Sequence, residues 1–191
     1  MIRPVLLIDN LDSFTFNLVE SLERIGAQVH VRRNSIAAAD ALAEAEQLGA
    51  VLMISPGPGT PRRSGCCLEL VALAKGRVPL IGVCLGHQAI VEEAGGTVTR
   101  APEPVHGKSM LLAHDGAGPF TGIASPARVA RYHSLCTRDL PARFTIHAEV
   151  DDMAMAFSDQ EALQAGLQFH PESILTTHGD AMLVNLMELF G

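Results

Sequence analysis

The 191-residue chain has no tryptophan, one tyrosine (Tyr132) and only 4% aromatic residues. Its core must therefore come from Leu, Val, Ile, Ala and Met, the filling of a layered α/β protein. Basic residues are also few: 14 Lys and Arg stand against 21 Asp and Glu, a net charge of −7 with no long run of one sign. That balance excludes a nucleic-acid partner, because phosphate binding calls for a basic face. The short basic clusters at 31–33 and 61–63 read as solvated surface. Long apolar runs are missing as well: "VLLI" at the N-terminus is broken by Asp9, too early for a signal peptide or a membrane span. Cysteine occurs four times, without any CxxC repeat, and the adjacent Cys66 and Cys67 cannot close an ordinary disulfide loop. The expectation is a protein of a reducing compartment, the cytoplasm. Repeats, linkers and low-complexity segments are lacking too, so one domain over 1–191 is expected.

What is present is a regular alternation. "PVLLID" (4–9), "QVHVRR" (28–33), "AVLMIS" (50–55) and "VPLIGV" (78–83) read as strands, the continuous apolar runs among them as strands buried on both faces. Helical patterns lie between them: 14–26, capped by Asp12 or Ser13; a helix led by Ser35 with apolar Ile36, Ala39, Leu42, Ala43 and Leu48; and 67–75. The alternation predicts an α/β fold, an open, mostly parallel sheet flanked by helices. The second half is more β-rich, with short pieces at 109–114, 127–135, 143–150, 153–157 and 165–169, and a last helix over 179–190.

In such a sheet, ligands bind beyond the carboxyl ends of the strands. The loops "SPGPGTP" (55–61) and "GVCLGHQ" (82–88) follow the third and fourth strands and should face that crevice. Cys84, between Gly82 and Gly86 and before a helix, has the context of a nucleophile elbow: small neighbours permit a sharp, strained turn that exposes the tip. The helix N-terminus beyond it favours negative charge on the sulfur. Among eight histidines, His170 stands out because "HPE" places Glu172 two residues on. Pro171 keeps the segment extended, so the two side chains share a face and the carboxylate can orient the imidazole. His30, His114, His147 and His178 have no acid arranged to orient them in the sequence. Two amide donors for an oxyanion are sought at Leu85 and in "SPGPG", where Gly57 and Gly59 allow close approach. A zinc site built from Cys84, His87, His170 and Glu172 is disfavoured, since glycines around Cys84 suit an elbow better than a metal.

The segments "DNLDSFTFNL" (9–18), "SPGPGTP" (55–61), "GVCLGHQAI" (82–90), "HGKS" (106–109), "RYHSL" (131–135) and "QFHPESILT" (168–176) resemble those of the class I (triad) glutamine amidotransferases along nearly the whole chain. The branch they resemble serves chorismate-using synthases. The segments are most similar to the glutaminase subunits of anthranilate synthase, which implies anthranilate formation for tryptophan, with those of aminodeoxychorismate synthase, or a subunit shared by both, as the alternative. The resemblance implies a flavodoxin-like fold and hydrolysis of L-glutamine, with Cys84 as nucleophile, His170 as base and acid, and Glu172 as orienter. It further implies oxyanion amides from Gly57 and Leu85, substrate contacts from Pro58, Gly59 and Gln88, and a glutamine backbone held by Ser134 and Leu135. The chain itself would need no metal or cofactor. Chorismate and Mg²⁺ would be handled by a partner, anthranilate synthase component I or aminodeoxychorismate synthase component I, which receives the ammonia and raises glutaminase activity. For "DSFT" the physical reading is a helix cap, and His133 receives no catalytic role. A silent regulatory subunit and a free-standing thiol hydrolase are the competing readings, and an intact Cys84, His170 and Glu172 argue against the first.

Overall fold

The computed structural model describes residues 2–105 and 107–190. In chain order the elements are β1 (Val5–Asp9), α1 (Phe14–Arg24), β2 (Val29–Arg33), α2 (Ala38–Leu48), β3 (Val51–Ile54), α3 (Cys67–Ala74), β4 (Leu80–Val83) and α4 (Leu85–Glu93). There follow β5 (Thr97–Arg100), β6 (Lys108–Leu112), β7 (Ala127–Arg131), β8 (Leu135–Arg138), β9 (Thr145–Val150), β10 (Met153–Asp159), β11 (Gln164–Leu167) and α5 (Gly179–Glu188).

Seven strands form the main sheet in the order β2-β1-β3-β4-β11-β10-β9. Strands β2, β1, β3, β4 and β11 are parallel, while β10 and β9 add antiparallel to the edge. Alternation along each strand sorts the side chains into two layers. Val5, Leu7, Val51, Met53, Ile81 and Val83 pack with Leu18 and Leu22 of α1 and Met182, Leu183 and Leu186 of α5. Leu6, Ile8, Leu52, Ile54 and Leu80 pack on the other face with Ala41 and Leu42 of α2, Leu70 and Val71 of α3, and Ile90 of α4. Each such Leu or Ile contributes about 1.5–3 kcal/mol by leaving water, so the sheet is a stiff base for whatever sits at its edge.

The carboxyl ends of β1, β3, β4 and β11 emerge on one side, as the parallel registers require. Two antiparallel ribbons, β5 with β8 and β6 with β7, lie outside the main sheet. Ala130 of β7 forms an isolated bridge with His170, just beyond β11. That bridge ties the β6–β7 ribbon to the active edge.

The elements differ from the sequence expectation in several places. Helix α2 begins at Ala38 with Ala37 as its cap, not at Ser35, and buries Ala38, Ala41, Leu42 and Ala45. Small alanines are needed there for close helix–sheet approach, and Ala39 and Ala43 face solvent. The run 127–135 breaks at Tyr132–Ser134 into two strands of different ribbons. Strand β5 lies outside the expected set, because "TVTR" is half-exposed and lacks a marked apolar pattern. At α1, Ser13 occupies the cap position but its side chain makes no capping bond; Asp12 Oδ1 instead accepts Phe14 N–H at 2.8 Å.

Candidate functional site

Cys84 sits at the turn from β4 into α4 with φ 53° and ψ −97°, a positive-φ conformation that L side chains rarely adopt. Strain of about 1–3 kcal/mol is held there by the surrounding packing. The flanking glycines supply space instead of φ: a Cβ on Gly82 would meet the backbone of Gly86 and lie 2.6 Å from His87 N, and one on Gly86 would lie 2.9 Å from Ile54 Cβ. The start of α4 is thus pressed onto β3 and β4, and Cys84 N–H is pinned to Leu167 O of β11 at 2.7 Å. Leu85 is the first residue of α4, so its amide has no intrahelical acceptor. Its side chain is buried in the core.

His170 follows β11 and is also pinned by backbone. Its N–H bonds Ala130 O at 3.0 Å, and its carbonyl accepts Thr176 Oγ1–H at 2.6 Å. Nδ1–H donates to Glu172 Oε1 at 2.6 Å, with both side chains buried. The segment is not extended as expected: Ser173 N–H bonds His170 O at 3.3 Å, closing a turn that swings the carboxylate back onto the ring. Proline at the second position of such a turn is favoured for its fixed φ. Burial is the largest influence on the imidazole and pushes its pKa down, but the Cys84 thiol and the Glu172 carboxylate together outweigh it and raise it to about 10. The ring therefore carries a proton at neutral pH between a carboxylate and a sulfur. Phe14 and Tyr132 pack edge-on against it, with ring centroids 5.1 and 5.0 Å away.

Beside Cys84 lies a cleft of about 220 Å³ lined by Gly57, Pro58, Gly59, Gln88, Ser134 and Leu135, with Asp12, Tyr132 and His133 at its margin. These are the positions expected to hold substrate, apart from Leu85, whose amide lies next to the sulfur in sequence. The loop carrying Gly57 is held by Asn10: Asn10 N–H donates to Ser55 Oγ, and Asn10 Nδ2–H to Ser55 O, both at 3.0 Å. A Cβ on Gly57 would come 2.5 Å from Asn10 Cβ, so glycine there is a packing requirement. Asp9 Oδ1 in turn accepts Leu11 N–H and Thr15 Oγ1–H, each at 2.9 Å. The "DNLDSFT" segment is thus more than a helix cap: it clamps the glycine loop and sets Phe14 against His170. Only the density of small polar residues after a buried strand hints at this in sequence.

One other expectation changes, that for His147. His87 is buried in the core, its Nε2 against Thr137 Oγ1 at 2.8 Å and its pKa pushed by burial to about 3, so it turns away from Cys84. No group of three or more His, Cys, Asp or Glu side chains suited to a metal occurs among the described residues. His147 does have an acid: its Nδ1 bonds Asp115 Oδ2 of the loop after β6 at 2.8 Å and its Nε2 bonds Ser158 Oγ of β10 at 2.9 Å, partners that no sequence spacing reveals. His106 of "HGKS" lies outside the described residues. Gln168, which no sequence argument singles out, points Nε2 at Cys84 Sγ at 3.8 Å.

Comparison with known proteins adds a family and its relatives. The family model described as glutamine amidotransferase class-I matches residues 6–189. The chain is 52% identical over 189 residues to a Pseudomonas aeruginosa protein named anthranilate synthase component 2, pyocyanine specific, covering 96% of this chain and 92% of that one. It is 45% identical over 187 residues to anthranilate synthase component 2 of Vibrio parahaemolyticus, covering 96% and 94%. A solved structure described as a GMP synthase subunit from Thermoplasma acidophilum superposes with a TM-score of 0.85 at 23% identity, over 100% of this chain and 94% of that one, a likeness of fold.

Proposed function

Since the chain belongs to the class-I glutamine amidotransferases, we propose that it is the glutamine-hydrolysing subunit of an anthranilate-forming enzyme of tryptophan biosynthesis. It supplies ammonia to a separate chorismate-using synthase subunit, anthranilate synthase component I. The observation that carries the reading is the buried His170–Glu172 pair, bonded at 2.6 Å, beside a cleft that Cys84 lines. The relatives' names support anthranilate synthase over aminodeoxychorismate synthase. The Pseudomonas relative is tied by name to pyocyanine; the glutamine step is the same for either destination.

In this reading the reaction runs through Cys84, His170 and Glu172. Cys84 sulfur attacks the γ-carboxamide carbon of glutamine, and the oxygen that gains charge is met by the amides of Leu85 and Gly57. His170 passes its proton to the departing nitrogen, so ammonia leaves and a γ-glutamyl thioester remains on Cys84. A water then gives its proton to His170 and attacks the thioester, and glutamate is released. Glu172 holds the ring in the tautomer that presents Nε2 to sulfur and stabilises the imidazolium. Phe14 and Tyr132 keep water from the ring. In this reading chorismate and Mg²⁺ are handled by the partner subunit.

The partner's docking face is read from the rim. Phe16 is 72% and Ile174 98% exposed, and both lie two residues from groups that touch or hold His170. A groove of about 760 Å³ runs between α1 and the 171–181 segment and shares Phe14, Tyr132 and Glu172 with the site. A synthase subunit seated there would touch the supports of His170 directly, a physical route for partner-dependent activation. The four free thiols fit a reducing cytoplasm.

The test combines this chain with anthranilate synthase component I or aminodeoxychorismate synthase component I, glutamine, chorismate and Mg²⁺, and identifies the aromatic amine. 2-Aminobenzoate with the first partner is expected. Aminodeoxychorismate alone would move the chain to the other branch, and glutamate release with no amine product would support a free-standing hydrolase.

A further inference from the structure

His133 and Gln168 have no role in the mechanism above, yet both are buried and both are joined to the site by hydrogen bonds whose direction is fixed. Arg131 can only donate, and its Nε–H points at His133 Nε2 at 3.0 Å. The proton of a neutral His133 therefore sits on Nδ1, which lies 2.8 Å from Leu135 O. The imidazole stays neutral because burial, and then the neighbouring Arg131, push its pKa down to about 4. The Leu135 carbonyl can only accept, so the Gln88 atom 3.3 Å from it is Nε2. The second Nε2 proton of Gln88 reaches Gln168 Oε1 at 3.1 Å. That leaves Gln168 Nε2 facing Cys84 Sγ at 3.8 Å.

One arginine and one carbonyl thus determine every proton between Arg131 and the sulfur. The neighbouring Ser134 carbonyl is occupied by Ala101 N–H at 2.9 Å on the β5 side, so the peptide units on either side of Leu135 are each anchored by a bond to their carbonyl. Gln88 lines the cleft and uses Nε2 on protein acceptors, which leaves its Oε1 as the amide atom not engaged by these bonds.

We propose that His133 is a positioning residue for glutamine and that Gln168 presents an N–H to the Cys84 sulfur, as the two ends of one proton-ordered chain. The inference rests on the glutamine-hydrolysis reading. His133 acts on binding, through the Leu135 carbonyl and Gln88. Gln168 acts on turnover, through the charge on sulfur.

The test uses the full-length chain and two alkylating agents for Cys84: 6-diazo-5-oxo-L-norleucine, which must be recognised as glutamine, and iodoacetamide, which needs no recognition. His133→Leu is expected to slow labelling by the first about tenfold, the effect of leaving a buried carbonyl short of a donor, while iodoacetamide labelling stays within about twofold of the parent. His133→Asn, whose Nδ2 replaces the Nδ1 donor, should recover most of the rate. With the synthase partner present, His133→Leu should raise the glutamine KM more than it lowers kcat, whereas Gln168→Leu should lower kcat about tenfold and raise KM by less than that. Equal slowing by both reagents, no recovery by asparagine, or an unchanged kcat in Gln168→Leu would overturn the proposal. A parent chain that iodoacetamide labels and the glutamine analogue does not would instead overturn the glutamine reading itself.

Discussion

Glu172 is the residue on which the charge of the site turns. It accepts from His170 Nδ1 at 2.6 Å with no exposure to water, so nothing else compensates for its loss. Glu172→Gln is expected to keep the fold and lower the glutaminase kcat by about a hundredfold, within the range for a positioned acid–base group, measured as glutamate release with the partner present. The same variant tests the linkage between protonation and stability. The His170 pKa stands raised from 6.5 to about 10 in the folded chain. Its contribution is therefore complete below pH 6.5, where folded and unfolded states are both protonated, and is lost as pH rises towards 10. The melting temperature of the parent should fall across that window, and Glu172→Gln should flatten the fall. Gly82→Ala brings a methyl against the backbone of α4 and should destabilise by about 1–3 kcal/mol, as overpacking does, while displacing Cys84 and lowering turnover; chemical denaturation and glutamate release measure both. Cys84, His170 and Glu172 were legible because glycine spacing and a proline-fixed pair carry local signals. Gln168, Asn10 and Phe14 were not, because their partners lie 84, 45 and 156 residues away in the chain.

At the scale of elements, the strands buried on both faces and the helices between them were readable from apolar runs and caps, and the parallel sheet follows from their alternation. The second half was read less well. Its ribbons depend on pairings such as β5 with β8 and β6 with β7, which bring together segments separated by loops of no distinct period. The turn at Pro171 reads as extended chain in the sequence because proline permits both. His147 shows how an acid–histidine–serine array can be structural. Its bonds to Asp115 and Ser158 join the 115–118 loop to the β9–β10 edge, and a Cβ on Gly118 would lie 2.6 Å from its Nε2. His147→Leu is expected to cost about 1–3 kcal/mol by leaving Ser158 unpartnered and to leave kcat for glutamine within about twofold, as denaturant unfolding and a glutaminase assay would report.

For the whole molecule, the chemistry sits where the ends of four parallel strands meet a ribbon that reaches over them, and the apolar rim beside it faces outward. Ile174, almost fully exposed, has no role inside the chain that its contacts reveal. Ile174→Glu is expected to weaken synthase binding about tenfold, as loss of an apolar anchor does at an interface, with glutaminase activity of the isolated chain unchanged; a titration of partner-stimulated activity measures it. No helix among the described residues is long and apolar enough to cross a membrane. The most direct test of the account supplies glutamine labelled with ¹⁵N at the amide to the reconstituted complex, in an excess of unlabelled ammonium, with chorismate and Mg²⁺. The 2-aminobenzoate formed should carry the label, and the label should vanish with Cys84→Ala while ammonium-dependent synthesis persists. Unlabelled product from the parent complex, or labelled product from Cys84→Ala, would contradict a thiol-dependent release of ammonia passed directly to the partner.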